Sequence, residues 1–463
     1  MSPRRTIPRM GRRQFLRNTT GVLILPAWVV GRGQEPPPSE QVRVAVIGAG
    51  GKGQSDAVET AEAGAKIVAI CDVDFGRAGA TIKKFPEARR YTDFRKMFDE
   101  MSSEFDAVVI ATPDHTHFPA ALWAIRRGKH VLVQKPLTHS MWEARQLTLA
   151  ARQHKVVSKM GNQGQASEET RRFIEMIRAG AIGEVLEAHI WTDRPIWPQG
   201  ATRPTGEDPV PEGLDWDSWI GPAPMRPYVA KWPADHPVRQ METFKRHKRE
   251  AVYHPFVWRG WWDFGTGALG DIGCHVINPI FWALDEMKGP FTVEAECGPF
   301  TDEMYPEWSI VTYTFPRPGG RKPLKLVWYD GGKKPPRPEA LEPERDWDKM
   351  QNGQLYIGDK GVMLGSRLIP ESRMKEYASH APPPTMPRSP GHYKEWIAAI
   401  KGAPRVDNSF DHSGPLTELV LAGNVAIRAR ARLEWDPVAF KFTNHDEANR
   451  WLRRTYRSGY ELD

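Results

Sequence analysis

Three groups of residues in this chain have the types and spacing that chemistry needs. The first is Gly48-Ala49-Gly50-Gly51-Lys52-Gly53, directly after the apolar run Val42–Ile47. Glycines that end a strand and open a helix let the backbone turn tightly and approach a pyrophosphate, which rests on the helix N-terminus. Nineteen residues after Gly53 stands Asp72, at the end of the next apolar run. A carboxylate there accepts hydrogen bonds from adenosine ribose hydroxyls and repels a 2′-phosphate, which favours NAD over NADP, with Arg77 close by as a counterweight. The second group is Gln134-Lys135-Pro136, just after the run His130–Val133. A lysine at the carboxyl end of a strand in an open α/β sheet stands where ligands bind, and so beside a nicotinamide. In the third, Asp271 and His275 are four residues apart in Gly267-Ala268-Leu269-Gly270-Asp271-Ile272-Gly273-Cys274-His275, so on a helix they share a face. Taken singly, the lysine reads as a surface charge and the Asp–His spacing as a surface pair.

The elements that would position these groups follow from periodicity. Short runs rich in Val and Ile (Val42–Ile47, Lys66–Ile70, Ala107–Ala111, His130–Val133, Val156–Met160) alternate with helical stretches such as Phe118–Arg127 and Met141–His154. That alternation predicts a parallel sheet covered on both faces, a doubly wound domain over 42–165. After Gly183 the helices thin out. Gly183–Thr192, Phe291–Cys297, Ser309–Phe315, Lys325–Tyr329 and Gln354–Leu364 read as strands, the last broken by a Gly358-Asp359-Lys360-Gly361 turn. The fold class is therefore α/β: an N-terminal Rossmann domain, then an α+β domain over 166–440 with a large open, mostly antiparallel sheet and a tail at 441–463. Leu416, Leu419, Val420 and Ile427 share a helical face behind Pro415, read as the helix's first turn.

The charge balance excludes a nucleic-acid or anionic-lipid partner. The net charge is +7, but residues 1–33 hold seven arginines and no acid; without them 57 basic residues meet 57 acidic ones. Within that stretch Gly11-Arg12-Arg13-Gln14-Phe15-Leu16-Arg17 precedes an apolar run from Gly21 to Val30. It reads as a twin-arginine leader, with a Pro-rich linker at 34–41. The apolar run is too short to span a bilayer. Folding around a cofactor in the cytosol, then export to the periplasm, is the expectation. No small-x-small cleavage site follows Val30, so an uncut leader would remain as an anchor. Cys71, Cys274 and Cys297 are isolated and odd in number, and no Cys-x-x-Cys or His-Glu-x-x-His motif is present. Neither a disulfide framework nor a metal site is expected.

The glycine loop, Asp72, Ala111-Thr112-Pro113-Asp114-His115-Thr116-His117, the lysine–proline step and Asp-x-x-x-His, in that order, resemble the Gfo/Idh/MocA family over about residues 42 to 435. The resemblance implies Lys135, Asp271 and His275 as the catalytic set. Its cofactor residues are Gly48, Gly50, Gly51, Gly53, Asp72, Thr112, Pro113, His117, Gln134, Lys135 and Gln163. It also implies a homo-oligomer, dimer or tetramer. Two positions depart from the family: Gln134 stands where glutamate is usual, and Asn278 where aspartate often follows the histidine. Oxidising a secondary alcohol needs a base for the hydroxyl proton, a role suited to His275 with an ordinary pKa near 6.5, while Lys135 stabilises the oxygen and Asp271 orients the pair.

Eight of the eighteen tryptophans lie between 191 and 262, and indole faces pack well on sugar rings. Trp258, Arg259, Trp261, Trp262 and His254 are the candidate substrate wall. The expected activity is NAD-dependent oxidation of a sugar, cyclitol or glycoside with a retained cofactor. An NAD-dependent glycosidase or epimerase acting by transient oxidation, and a non-catalytic sugar-binding protein, are the alternatives.

Overall fold

The computed structural model describes residues 40–404 and 408–461. The proposed leader, almost all of the linker, and the last two residues lie outside them. Residues 42–463 form one compact unit built on two sheets.

The first sheet is all parallel, in the order β3-β2-β1-β4-β5-β6. Its strands are β1 (Arg43–Ile47), β2 (Lys66–Cys71), β3 (Arg89–Tyr91), β4 (Ala107–Ile110), β5 (His130–Gln134) and β6 (Ser158–Gly161). Every residue of β4 is buried, as a central strand covered on both faces requires. The second sheet has nine strands in the order β13-β12-β11-β7-β10-β9-β8-β14-β15. These are β7 (Val185–Trp191), β8 (Phe291–Cys297), β9 (Ser309–Phe315), β10 (Leu324–Tyr329), β11 (Gly353–Gly358), β12 (Val362–Leu364), β13 (Arg367–Ile369), β14 (Leu433–Asp436) and β15 (Lys441–Phe442). Only β7 and β10 pair in parallel; the remaining neighbours are antiparallel. The mostly antiparallel open sheet expected of the second half is present, with β15 carrying it into the segment read as a tail.

The helix Phe410–Ala429 joins the halves. It packs on Met141–Gln153 from the first sheet and on both Gly267–Val276 and β8 from the second. It starts five residues before Pro415, which lies inside it rather than in its first turn. Pro415 cannot donate to the carbonyl four residues back. The turns on either side are reinforced by the hydroxyls of Ser413 and Thr417, which donate to the carbonyls of Ser409 and Ser413 at 2.8 and 2.7 Å. From this helix Asn424 Nδ2 donates to the Thr266 carbonyl at 2.8 Å, fixing the start of helix Gly267–Val276. No described helix is long and apolar enough to cross a membrane.

Candidate active site

The glycine loop leaves β1 with Gly48 at φ +79°. A Cβ on Gly48 would stand 2.7 Å from the Thr112 amide, and one on Gly53 would stand 1.7 Å from the Gly48 carbonyl oxygen. Only glycine lets the loop, helix Lys52–Glu62 and the end of β4 meet this closely. Asp72, at the end of β2, holds the loop: its Oδ2 accepts from the amides of Ala49 and Gly50 at 2.7 and 3.1 Å, and its Oδ1 from the Asp74 amide at 2.9 Å. Burial raises the Asp72 carboxyl above its ordinary value, and these three bonds offset only part of that rise. A carboxylate has about four acceptor positions, so roughly one remains for a ribose hydroxyl. In this structure Asp72 braces the loop.

From this loop a cleft of about 230 Å³ runs along the carboxyl edge of the first sheet. Gly48, Gly50, Gly51, Asp72, Thr112, Pro113, Gln134 and Lys135 line it from the sheet, with His254, Trp258 and Arg259 opposite. A dinucleotide fits this lining, with amides and basic side chains toward the phosphates and Asp72 toward a ribose. Seven of the expected residues stand outside this lining: Gly53, His117, Gln163, Trp261, Trp262, Asp271 and His275. Gly53 lies beneath the loop as a packing contact. His117 is buried, its ring nitrogens 2.9 Å from the carbonyls of Pro136 and Thr112, where it ties β5 to β4. Trp261 is fully buried; it stacks on Trp232 and donates to the Val252 carbonyl. Trp262 packs on Tyr305 and donates to the Thr301 carbonyl. Both tryptophans build core, not a substrate wall, because each is buried with its indole N–H satisfied by a backbone carbonyl. Gln163, also outside the lining, donates to the Tyr393 hydroxyl at 3.1 Å.

At one end of the cleft Lys135 Nζ donates to the Asp271 carbonyl at 2.5 Å and to Asp271 Oδ1 at 2.9 Å. Arg259 Nε donates to the same Oδ1 at 2.8 Å, and Arg194 Nε lies 4.0 Å from Oδ2. Burial alone would raise the Asp271 carboxyl, but Lys135 and Arg259 hold it far below the usual carboxylate range. It is ionised at every physiological pH. Its contribution to stability is present above the unfolded carboxylate pKa and is lost only in strong acid. Lys135 keeps one N–H free of Asp271.

His275 is not part of the cleft lining. Its Nδ1 meets Asn162 Oδ1 at 2.9 Å, while Asn162 Nδ2 donates to the Cys274 carbonyl at 2.6 Å. That second bond fixes the amide with its oxygen toward the ring, so His275 Nδ1 carries the proton and Nε2 the lone pair. Burial, reinforced by Lys135, lowers the His275 pKa to about 3. The ring is neutral far below the pH 6.5 expected of an ordinary histidine.

Both departures from the family pattern have local partners. Gln134 Nε2 donates to the buried Asp56 Oδ2 at 2.8 Å, and Asp56 Oδ1 takes Lys52 at 2.7 Å and the Tyr393 hydroxyl at 2.5 Å. The carboxylate missing at position 134 is supplied one residue further away. Asn278 faces the helix core, where its Oδ1 lies 2.7 Å from His412 Nε2.

Two further segments close the cleft. Residues 214–215 run beside the end of β2, with Asp215 N donating to the Val73 carbonyl at 2.8 Å. His254 has both ring nitrogens engaged, Nε2 at 3.0 Å from Asp74 Oδ2 and Nδ1 at 3.1 Å from Trp219 Nε1, so it latches this segment rather than offering a free edge to substrate. Tyr460, from the segment 453–461, adds to the other wall. Arg454 Nε and the Tyr456 hydroxyl meet Glu143 Oε1 at 2.7 and 2.6 Å, Arg457 pairs with Asp217, and Tyr460 reaches the cleft beneath the Arg95 guanidinium.

Residues 42–162 match the oxidoreductase family with an NAD-binding Rossmann fold, Gfo/Idh/MocA, and residues 190–321 match that family's C-terminal alpha/beta domain. The two matches together cover more than half of the chain, and the protein belongs to this family. Among curated relatives, the inositol 2-dehydrogenase of Arthrobacter sp. (strain FB24) is 32% identical over 168 residues, 35% of this chain and 49% of that one. The inositol 2-dehydrogenase of Rubrobacter xylanophilus is 37% identical over 115 residues, 24% of this chain and 32% of that one. The chain thus spans half or less of these relatives' length. Of solved structures, the WlbA dehydrogenase from Bordetella pertussis, in complex with NADH and UDP-GlcNAcA, superposes with a TM-score of 0.55 at 17% identity, covering 85% of this chain and 98% of that one. A levoglucosan dehydrogenase in complex with NADH gives 0.51 at 16% identity, covering 85% and 99%. At these identities the likeness is one of fold.

Proposed function

We propose that the protein oxidises a secondary alcohol of a sugar, cyclitol or glycoside with a bound NAD. The observation that carries this reading is Lys135 Nζ, held by Asp271 at the end of the cleft that opens from the glycine loop, with one N–H to spare. When bound, the nicotinamide accepts the hydride from the alcohol carbon. The glycine loop, Asp72, Thr112 and Pro113 would hold the dinucleotide. Lys135 donates to the alcohol oxygen and stabilises negative charge as its proton departs. His275, whose pKa burial lowers to about 3, retains a proton weakly. Arg259 and Trp258 complete the substrate side, the guanidinium lying 4.2 Å over the indole. The inositol dehydrogenases among the relatives support a polyol substrate.

Mass spectrometry of the purified, denatured protein is expected to release NAD. Mixing the loaded protein with a panel of sugars and cyclitols should produce reduced nicotinamide in one turnover. Aglycone release without net reduced cofactor would point to the glycosidase instead, and silence across the panel to a binding protein. The oligomer implied by the family is checked by light scattering on the same preparation.

Export belongs to the same proposal and rests on Arg12 and Arg13. Changing both to Lys is expected to leave folded, NAD-loaded protein in the cytoplasm, read by cell fractionation. Unchanged periplasmic delivery of that variant would refute the leader.

A further inference from the structure

We propose that Asp114, rather than His275, is the group that takes the substrate's hydroxyl proton; this rests on the oxidoreductase reading above. Asp114 opens helix Asp114–Arg126 immediately after the β4 edge and lines the cleft together with Lys135 and Arg259. Its side chain is 3% exposed, so water does not compete for it. The Thr266 hydroxyl donates to Oδ2 at 2.7 Å, a bond that fixes the carboxyl and leaves Oδ1 for a second partner. That hydroxyl is itself held by its surroundings, because a Cβ on Gly270 would stand 2.0 Å from Thr266 Oγ1. The charged and titratable groups facing Asp114 come from every neighbouring element. They are Arg259 from the turn Val257–Gly260, Lys135 just after β5, Asp271 and Cys274 from helix Gly267–Val276, and Tyr305 from the loop before β9.

Two carboxyls therefore share one site under opposite influences. Lys135 and Arg259 keep Asp271 ionised. Burial pushes Asp114 up to about 7, against the pull of Thr266 and Arg259. A pair of groups displaced in opposite directions is how sites divide a permanent charge from a proton carrier. An acceptor with a pKa near the working pH both takes a proton and gives it up, whereas one near 3 does not hold it. In the step, the substrate O–H bond breaks and its proton moves to Asp114 Oδ1, giving the neutral acid. The C–H pair leaves as hydride to the oxidised dinucleotide, and the C=O bond forms. Asp114 must be ionised for this, so the rate rises with pH to a plateau above neutrality.

The test uses NAD-loaded protein and the variant Asp114→Asn, whose amide oxygen still accepts from Thr266. Infrared difference spectra of wild type minus variant should show a protonated carboxyl at pH 5 that vanishes by pH 9, with its midpoint near neutrality. In single turnovers the variant should lose about 10²-fold or more in the hydride-transfer rate, the general-base range, with KM little changed and the neutral limb of the pH profile gone. Thr266→Val, which removes only the donor, should move both midpoint and limb upward together. An Asp114 already ionised at pH 5 overturns the role, and so does an Asp114→Asn enzyme that keeps its rate and limb. A wild type inert toward every alcohol would overturn the oxidoreductase reading and this role with it, whereas an active wild type with an equally active variant overturns the role alone.

Discussion

Replacing Lys135 with Met is expected to slow single-turnover hydride transfer by about 10²–10³-fold, the cost typical of removing one preorganised donor from a developing oxyanion. Stability should change little. Removing one partner of a buried ion pair is costly when it strands the other charge. Here Arg259 remains 2.8 Å from Asp271 Oδ1, so the carboxylate keeps a cation. The variant should also keep its NAD, because the glycine loop and Asp72 are untouched. Because Lys135 and Asp114 act on one oxygen, the double variant should be far less than multiplicatively worse than either single one. Stopped-flow absorbance of reduced nicotinamide reads all three enzymes. A Lys135→Met enzyme near the wild-type rate would remove this lysine from the chemistry.

Changing Gly53 to Ala should produce the largest loss of cofactor. The added carbon would sit 1.7 Å from the Gly48 carbonyl oxygen and 2.8 Å from its carbon, both backbone, so no rotamer relieves the clash. Helix Lys52–Glu62 must move away, and it carries Lys52 and Asp56, the anchor of Gln134 and Tyr393. Overpacking of this kind costs about 1–3 kcal/mol. If the loop's fit to the dinucleotide absorbs that cost, NAD affinity falls by about tenfold for each 1.4 kcal/mol. A lowered melting temperature together with NAD-poor purified protein is the expected pair of results. A variant that melts normally and carries full NAD would show that the loop tolerates the extra carbon.

The sheet that holds the site could be read from sequence where burial is two-sided. Ala107–Ile110 is an unbroken apolar run because both faces are covered, and such runs carry their own signal. Strand β3 carries none: Arg89 and Arg90 are exposed on an edge, and only Tyr91 is buried. The edge strands β13 and β15, and β14 beside the latter, are two to four residues long, too short for a period to show. At the site, spacing located Lys135 and Asp271, since each sits in a locally encoded element, a strand end and a helix face. The tryptophans misled because indole burial is decided by tertiary neighbours; Trp216 stacks on Trp219 at 4.7 Å inside a small aromatic core that no linear pattern announces. Asp114 was legible in principle. A carboxylate one step past the Thr-Pro at the β4 edge lies where ligands bind in such sheets. What hid it was the partner: Thr266 is 152 residues away, and only the fold brings the two together.

The wall that Tyr460 adds to the nucleotide cleft has a consequence for how the molecule is made. Strands β1 to β6 are complete by Gly161, and a domain of that kind can collapse as it leaves the ribosome. Tyr460, which lines the cleft, and Arg454, Tyr456 and Arg457, which hold its segment, are then still to be synthesised. At about 5–20 residues per second the delay is roughly 15–60 s. During that interval a nucleotide meets an open groove. Arg454, Tyr456 and Arg457 dock on Glu143 and Asp217 only after that interval, so synthesis itself orders the events: the groove first, the Tyr460 wall after it.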